Sequence, residues 1–203
     1  MTKTETGLRI VPANEASWDD LNAVLGTARC YETLCFCQRL KIPSSQWRTT
    51  SDEERAHRLR QQTDCGHPGS EATTGLVAYL GDEPVGWCAV EPRTAYVKLP
   101  RMPIPWAERN EDKDDASVWA VTCFVTRTAH RWTGVMTALT LAAVDYARER
   151  GARVLEGYPM ITEPGKVITW GELHVGSRDA FAAAGFKQVT QPTKRRAVMR
   201  LDL

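Results

Sequence analysis

The stretch of residues 118–151 constrains the fold most, because it changes from strand to helix periodicity within a few residues. "VWAVTCFV" is almost uninterruptedly apolar, a pattern typical of a central strand buried on both faces. From Thr133 onward, apolar side chains recur on one helical face, at Val135, Leu139, Ala142 and Tyr146. Gly151 follows where a helix C-terminal cap is expected. We therefore predict a buried strand, a tight turn "HRWTGVM" and an amphipathic helix.

The rest of the chain predicts further strands and helices with no internal repeat. The predicted strands are "LRIVP" near the start, a hairpin of "LVAYL" and "PVGWCAV", then "RVLEGY" and the closing "AVMRLDL". The predicted helices contain "WDDLNAVL", "YETLCFCQRL", "SDEERAHRLRQQ" and "SRDAFAAA". This order predicts one α+β sheet with helices on both faces, sandwich-like, rather than the regular alternation of a doubly wound fold.

Length and composition limit the domain organisation and the partners. A chain of 203 residues can bury the core of one domain, so residues 1–203 are expected to form one, with residues 1–7 as a flexible tail. The net charge of +1 argues against nucleic-acid binding as the main function. No apolar run approaches the roughly 20 residues that span a bilayer, so no membrane partner is expected. The polar start lacks a signal-peptide core, which favours the cytoplasm.

The cysteines do not predict a metal site. Four of the six lie in the first third of the chain with a histidine nearby: Cys30, Cys35, Cys37, Cys65 and His67. Cys35 and Cys37 are separated by one residue, whereas structural zinc pairs usually leave two to four. We expect no metal, and we expect reduced, mostly buried thiols.

The turn between the buried strand and its helix is a candidate anion site. The first N–H groups of a helix have no intrahelical partner and, with the helix dipole, attract phosphate. Gly134 allows close approach of a ligand to the backbone, and Arg131 can add positive charge. The residues of the turn leave a second interpretation open, in which Gly134 only permits a tight turn and Arg131 is solvated.

The order of elements, the R-x-x-G turn and "FAAAGF" resemble the GNAT superfamily of acetyl-CoA-dependent N-acetyltransferases over residues 8–203. The resemblance implies a single domain with a mixed, mainly antiparallel central sheet flanked by helices. It also implies that the turn holds the coenzyme A pyrophosphate, through Arg131, Trp132, Thr133, Gly134, Val135 and Met136. The family pattern is Q/R-x-x-G-x-G/A, so Met136 stands where a small residue is usual.

The resemblance further implies that the strand ending "TCFV" carries a bulge and separates from the strand "RVLEGY". Backbone groups of Cys123, Phe124 and Val125 would then bind the pantetheine arm. The thioester would lie in the gap between the two strands. The acceptor amine would arrive from the other side, between the long loops of residues 91–117 and 159–176. Ser177 can contact the coenzyme or simply cap its helix.

Direct acyl transfer needs a neutral amine and a proton donor for the leaving thiolate. Glu91 and Glu156 are the candidate bases. Phe181 occupies the position where many members of the family have a tyrosine acid, and it is counted with the coenzyme-binding residues. Tyr158 is the candidate replacement acid, with solvent as the alternative. An acyl-cysteine on Cys123 is disfavoured because no base lies near it in the sequence.

Two functions of different class follow. One is a catalytic N-acetyltransferase that transfers the acetyl group of acetyl-CoA to a small-molecule or protein amine by direct attack in a ternary complex. The other is an acetyl-CoA-binding module with little catalysis, suggested by Phe181. The sequence leaves a homodimer open.

Overall fold

The computed structural model describes residues 2–3, 7–30, 33–71, 73–163 and 165–203. Its strands are β1 (Thr2–Lys3), β2 (Leu8–Pro12), β3 (Arg29–Cys30), β4 (Thr33–Leu34), β5 (Leu76–Leu80), β6 (Glu83–Pro92), β7 (Val118–Thr126), β8 (Val154–Gly157), β9 (Lys187–Thr193) and β10 (Arg196–Asp202). Its helices are α1 (Trp18–Leu25), α2 (Ser44–Trp47), α3 (Asp52–Thr63), α4 (Pro103–Trp106), α5 (Val135–Glu149), α6 (Trp170–Leu173) and α7 (Arg178–Ala183). Short 3-10 turns cover Ala13–Glu15, Arg93–Ala95, Leu99–Arg101 and Thr128–His130.

Within the described ranges, the main sheet has eight strands in the order β1-β2-β5-β6-β7-β8-β10-β9. Every neighbouring pair is antiparallel except β7 and β8, which are parallel. The connection from β7 to its parallel neighbour β8 is α5, as expected for a crossover. The predicted α+β fold with a mixed, mainly antiparallel sheet is confirmed.

Helices cover the two faces of this sheet. The face under α5 is built from aliphatic and aromatic side chains that include Val90, Val121, Phe124, Val135 and Leu139. The face under α1 includes Leu21, Leu25, Trp87, Cys123 and Val125. A Cβ added to Gly86 of β6 would lie 2.6 Å from Val135 Cγ1, so this glycine lets α5 lie close on the sheet. The start of α5 is thereby fixed at the edge of the gap described next.

A bulge interrupts β7 where the resemblance implies one. Ala89 of β6 is opposite Cys123 and Val90 is opposite Val121, so Thr122 is one residue too many for the ladder. The parallel ladder with β8 ends at the same place, with Val121 opposite Gly157. Beyond this point the two strands separate and leave a gap. Because of the bulge, the neighbours Thr122 and Cys123 both face the side of the sheet opposite α5.

The predicted helix "YETLCFCQRL" is wrong. The segment forms the short antiparallel ladder of β3 and β4 and then turns in which Phe36 and Cys37 have φ of 40° and 53°, outside the helical region. Phe36 and Cys37 are buried, so their tertiary contacts determine the local structure. The apolar residues that suggested a helix here are themselves weak helix formers, and their spacing does not prevail. Tyr31 and Glu32 lie outside the described residues.

The other predicted helices occur where expected, as α1, α3, α5 and α7, and α6 is an unpredicted single turn inside the second long loop. Ser51 caps α3 by accepting a hydrogen bond from the Glu54 N–H at 3.2 Å. Of the predicted tail, Thr2–Lys3 pair with β2, and residues 1 and 4–6 lie outside the described residues. No helix in the described part of the chain is both long and apolar enough to cross a bilayer.

Candidate active site

Two cavities lie near the gap between β7 and β8. The large cleft has a volume of about 840 Å³ and lies between the end of β7, the start of α5 and the loop that precedes α7. The small pocket has a volume of about 120 Å³ and is lined by residues that include Thr122, Cys123 and Tyr158. His174 lines both cavities. The gap is therefore accessible from two directions.

The first turn of α5 forms one wall of the large cleft. Gly134 is the N-cap residue with φ 85° and ψ 0°, a conformation that side chains disfavour. Its helix has no side-chain cap and no acidic residue in its first turn. The first intrahelical bond runs from the Ala138 N–H to the Gly134 carbonyl, so the amides of residues 135–137 precede the ladder. These amides, with the helix dipole, fit a phosphate group.

The predicted pyrophosphate residues contribute to this wall in different ways. Arg131, Trp132, Gly134, Val135 and Met136 line the large cleft. Trp132 is 94% exposed and has φ 67°. The Val135 side chain is buried in the core, so only its backbone is available to a ligand.

Thr133 and Met136 differ from the others in this turn. The Thr133 hydroxyl donates to the His130 carbonyl at 2.7 Å and so tightens the turn. Met136 is half-buried and occupies part of the cleft wall, as expected for a large residue at that position. Thr137 and Lys166 also line the cleft and were not predicted.

Of the three residues predicted to hold the pantetheine arm, only Phe124 presents its backbone to the gap. Its N–H donates to the His174 carbonyl at 2.6 Å, away from β6. Because backbone groups alternate along an antiparallel strand, those of Cys123 and Val125 face β6. The prediction for Cys123 and Val125 is corrected accordingly. Thr126, the next residue of the same alternation, lines the large cleft and was missed.

Phe181 is part of the core and lines neither cavity. Its side chain has no exposed surface and contacts Phe124 and Phe186 edge-on, with ring centroids 6.0 and 5.0 Å apart. The prediction that Phe181 binds coenzyme is therefore corrected. Ser177 caps α7 by accepting from the Ala180 N–H at 3.3 Å, and it also lines the large cleft. Both of its predicted roles are compatible with this position.

Glu156 is fully buried in a cluster of arginines. Arg109 forms a two-pronged ion pair with its carboxylate, Arg93 lies 3.7 Å away and Arg200 lies 3.5 Å away. The Tyr158 hydroxyl donates to the same carboxylate at 3.1 Å. The carboxylate oxygens of Glu156 already accept hydrogen bonds from Arg109 and Tyr158, and Glu156 lines neither cavity. This position points to a structural role for Glu156, and its role as the base stays a prediction.

Replacing Glu156 with glutamine should destabilise the protein by about 3–5 kcal/mol, because it leaves buried guanidinium groups without their counter-charge. Chemical denaturation of Glu156→Gln beside wild type measures this. Glu149→Gln, at an exposed position on α5, is the matched control and should change stability by less than about 0.5 kcal/mol. A stable Glu156→Gln protein with abolished turnover would instead support Glu156 as the base.

Glu91 and Tyr158 are also held by other groups. The Glu91 carboxylate is ion-paired with Lys41 and lines neither cavity. Burial raises the pKa of Glu91, and Lys41 opposes that rise. Burial raises the pKa of the Tyr158 hydroxyl, whose hydrogen is donated to Glu156. The roles of Glu91 as base and Tyr158 as acid stay predictions, and of the two only Tyr158 lines a cavity, the small pocket.

His174 is the titratable side chain that the sequence did not indicate. Its Nδ1 lies 2.6 Å from the Gly171 carbonyl oxygen. A carbonyl oxygen can only accept, so we assign the ring hydrogen to Nδ1, which leaves a lone pair on Nε2. Burial lowers the pKa of His174 to about 4, so the ring is neutral at physiological pH. One signal for His174 was available in the sequence. It is a histidine in a long loop that is predicted to form a wall of the acceptor site.

Cys65, Cys88 and Cys123 are free thiols, and Cys35 and Cys37 are buried. Among the described residues, no group of three or more histidine, cysteine or acidic side chains is arranged to hold a metal ion.

Comparisons with known proteins agree with this geometry. A model of the acetyltransferase (GNAT) family matches residues 36–158, more than half of the chain. A sequence search of curated proteins finds no match.

Similar solved structures share the fold at low sequence identity. A GCN5-related N-acetyltransferase from Kribbella flavida is 16% identical over 98% of this chain and 100% of its own, with a TM-score of 0.54. An N-acetyltransferase from Staphylococcus aureus Mu50 is 13% identical over 96% and 98%, with a TM-score of 0.53. The yncA protein of Salmonella typhimurium, solved with its cofactor acetyl-CoA, is 16% identical over 97% and 94%, with a TM-score of 0.51. On the family match, supported by this shared fold, the chain belongs to the acetyltransferase (GNAT) family and is an acyltransferase.

Proposed function

We propose that this protein is an N-acetyltransferase in which an amine attacks the thioester of acetyl-CoA directly, within a ternary complex. Acetyl-CoA is the co-substrate and supplies an activated acyl carbon. The observation that carries the proposal is that His174 lines both the large cleft and the small pocket, beside the gap between β7 and β8. Two substrates that enter from the two sides would meet there, and such positioning can supply much of the rate.

The large cleft is the proposed coenzyme site. Its volume of about 840 Å³ suits a large ligand, and the uncapped amides of residues 135–137 suit the pyrophosphate. Phe124 and Thr126, from the separated part of β7, form the wall along which the pantetheine arm would lie.

His174 is the proposed proton carrier. When the neutral amine forms its bond to the acyl carbon and the bond from that carbon to sulfur breaks, the amine nitrogen must lose a proton and the thiolate must gain one. Nε2 can accept the first, because Nδ1 carries the ring hydrogen. Since the same side chain lines both cavities, it can return that proton to the sulfur. One residue would thereby replace both the base and the tyrosine acid.

Thiol release tests the proposal against the alternative, an acetyl-CoA-binding module. The purified protein is incubated with acetyl-CoA and a panel of amines while free thiol is measured. We expect release that depends on the amine, with initial rates that fit a ternary complex and no acetylated Cys123 by mass spectrometry. Coenzyme binding without release on any amine of the panel would support the binding module.

The cellular setting is part of the same proposal. We place the reaction in the cytoplasm, where a reducing environment keeps thiols such as Cys88 and Cys123 from oxidation. The homodimer that the sequence leaves open is tested by sedimentation equilibrium.

A further inference from the structure

We propose that the acceptor is a small amine that also carries a carboxylate, such as an amino acid with an apolar side chain, and that Arg196 and Arg39 select it in the small pocket. This inference rests on the proposed function, because it identifies the second substrate of the same reaction. It replaces the broad class of small-molecule or protein amines with one chemical type.

The size and lining of the small pocket favour a small, partly apolar acceptor. A volume of about 120 Å³ lies well below the roughly 300–1,000 Å³ of sites for drug-sized ligands. Apolar side chains form one part of its wall: Leu40, Met102, Ile104, Pro105 and Val175. This part of the wall would contact an aliphatic side chain.

The charged residues of the small pocket are all basic. Arg39 and Arg196 line it, and no aspartate or glutamate does. Glu156, to which the Tyr158 hydroxyl donates, is already paired with Arg93, Arg109 and Arg200. The charges of Arg39 and Arg196 also act on His174, where they add to the effect of burial and lower its pKa. The charge of Arg196 at this pocket attracts anions and repels polycationic amines.

Arg196 has hydrogen-bonding capacity that the protein leaves unused. Its Nη2 donates to the Tyr158 carbonyl at 2.6 Å, whereas its Nε is buried and makes no hydrogen bond. No ion pair to Arg196 occurs among the described residues, and burial lowers the pKa of its guanidinium. A desolvated guanidinium without a counter-ion is unfavourable, and a ligand carboxylate in the pocket would supply that counter-charge.

Two carboxylates of the loop before β7, those of Glu111 and Asp115, are already paired within the protein. Glu111 is ion-paired with Arg109 and Arg200, at 2.9 and 3.0 Å. Asp115 is ion-paired with Arg153 and accepts a hydrogen bond from Ser117. Both carboxylates are engaged in ion pairs within the protein, and neither lines the small pocket.

Matched acceptors isolate the contribution of the carboxylate. Alanine is compared with alaninamide and ethylamine, and leucine with leucinamide and 3-methylbutylamine, by amine-dependent thiol release. We expect each amino acid to have a kcat/KM about 10- to 100-fold above its two partners, the range for losing a charged hydrogen bond. Equal use of all three compounds in each set would overturn the inference while leaving the N-acetyltransferase proposal intact.

Variants connect this selectivity to Arg196. Arg196→Gln should raise the KM for the preferred amino acid by about 10- to 100-fold and remove the advantage over its amide. Arg196→Lys should retain part of it, since the charge remains. Arg148→Gln, which removes an exposed ion pair with Asp145 on α5, is the control and should behave as wild type. An Arg196→Gln protein with unchanged selectivity would overturn the assignment.

A binding measurement separates this inference from the proposed function. Propionate and 4-methylpentanoate, which lack the amine, are titrated by calorimetry into the protein with coenzyme A present. We expect binding to wild type and at least tenfold weaker binding to Arg196→Gln. If this pattern holds but no amine releases thiol, the carboxylate site stands and the transferase function fails. If neither acid binds and no amino acid releases thiol, the inference is wrong.

Discussion

Gly134→Val is expected to abolish measurable coenzyme A binding, a loss of at least about 100-fold in affinity. Two effects act together. A β-branched side chain at φ 85° is strained by about 1–2 kcal/mol, and its branches occupy the approach to the amides of residues 135–137. Without that approach, the pyrophosphate loses several charge-assisted hydrogen bonds at once. Isothermal titration with coenzyme A measures the change.

Gly151→Val is the matched control for this variant. Gly151 lies just beyond the other end of α5 with φ 75°, and no atom lies within 4 Å of a Cβ built on it. It shares the backbone strain but does not line the large cleft. Both variants should lose similar stability, and only Gly134→Val should lose coenzyme affinity. Unchanged affinity in Gly134→Val would show that the pyrophosphate binds elsewhere.

His174→Asn is expected to lower kcat by about 100- to 1,000-fold, the usual contribution of a general base, with little change in coenzyme affinity. Asparagine can still donate from the Nδ1 position to the Gly171 carbonyl, but it has no atom equivalent to Nε2. The variant thus preserves the loop contact and removes the proton acceptor. His57→Gln, at an exposed position on α3, should have wild-type kcat. A fully active His174→Asn protein would exclude His174 from the proton path.

The pH dependence gives a second measurement on His174. Burial, with Arg39 and Arg196, lowers its pKa from 6.5 to about 4, so Nε2 remains unprotonated at any pH above about 4. We expect no loss of kcat/KM from this group between pH 8 and 5, where a histidine of ordinary pKa would already lose activity. Because the unfolded state binds the proton more tightly, the stabilisation is complete above pH 6.5 and is lost as the pH falls toward 4.

Local patterns along the chain were sufficient to predict the framework of the site. The buried β7, the turn and α5 each depend on neighbouring residues, and periodicity with a glycine at each end of the helix is enough to place them. The anion-binding turn followed from the same information, since helix amides and Gly134 are local features.

The surroundings of the predicted catalytic residues could not be read from the sequence because they depend on long-range pairing. Glu156 looked available in the sequence, but its partner Arg109 lies 47 positions away and belongs to a loop without periodic structure. Lys41 is 50 positions from Glu91. The local sequence around an acidic residue at the end of a strand does not indicate whether a cationic side chain will pair with it. His174 was missed for the converse reason, since only the folded loop brings it to both cavities.

Thr122 is not needed for regular pairing of β6 with β7, but it forms the bulge beside the gap of the proposed reaction. Without this residue, Val121 and Cys123 would be consecutive, and they already face opposite sides of the sheet as neighbours in a regular strand should. Every other residue of β7 would keep its face and its partner on β6. A chain one residue shorter could thus retain the whole hydrophobic core while β7 and β8 paired past Val121 and closed the passage between the two substrates. In the proposed reaction, the meeting of donor and acceptor would therefore depend on a residue that the pairing of β6 with β7 does not require.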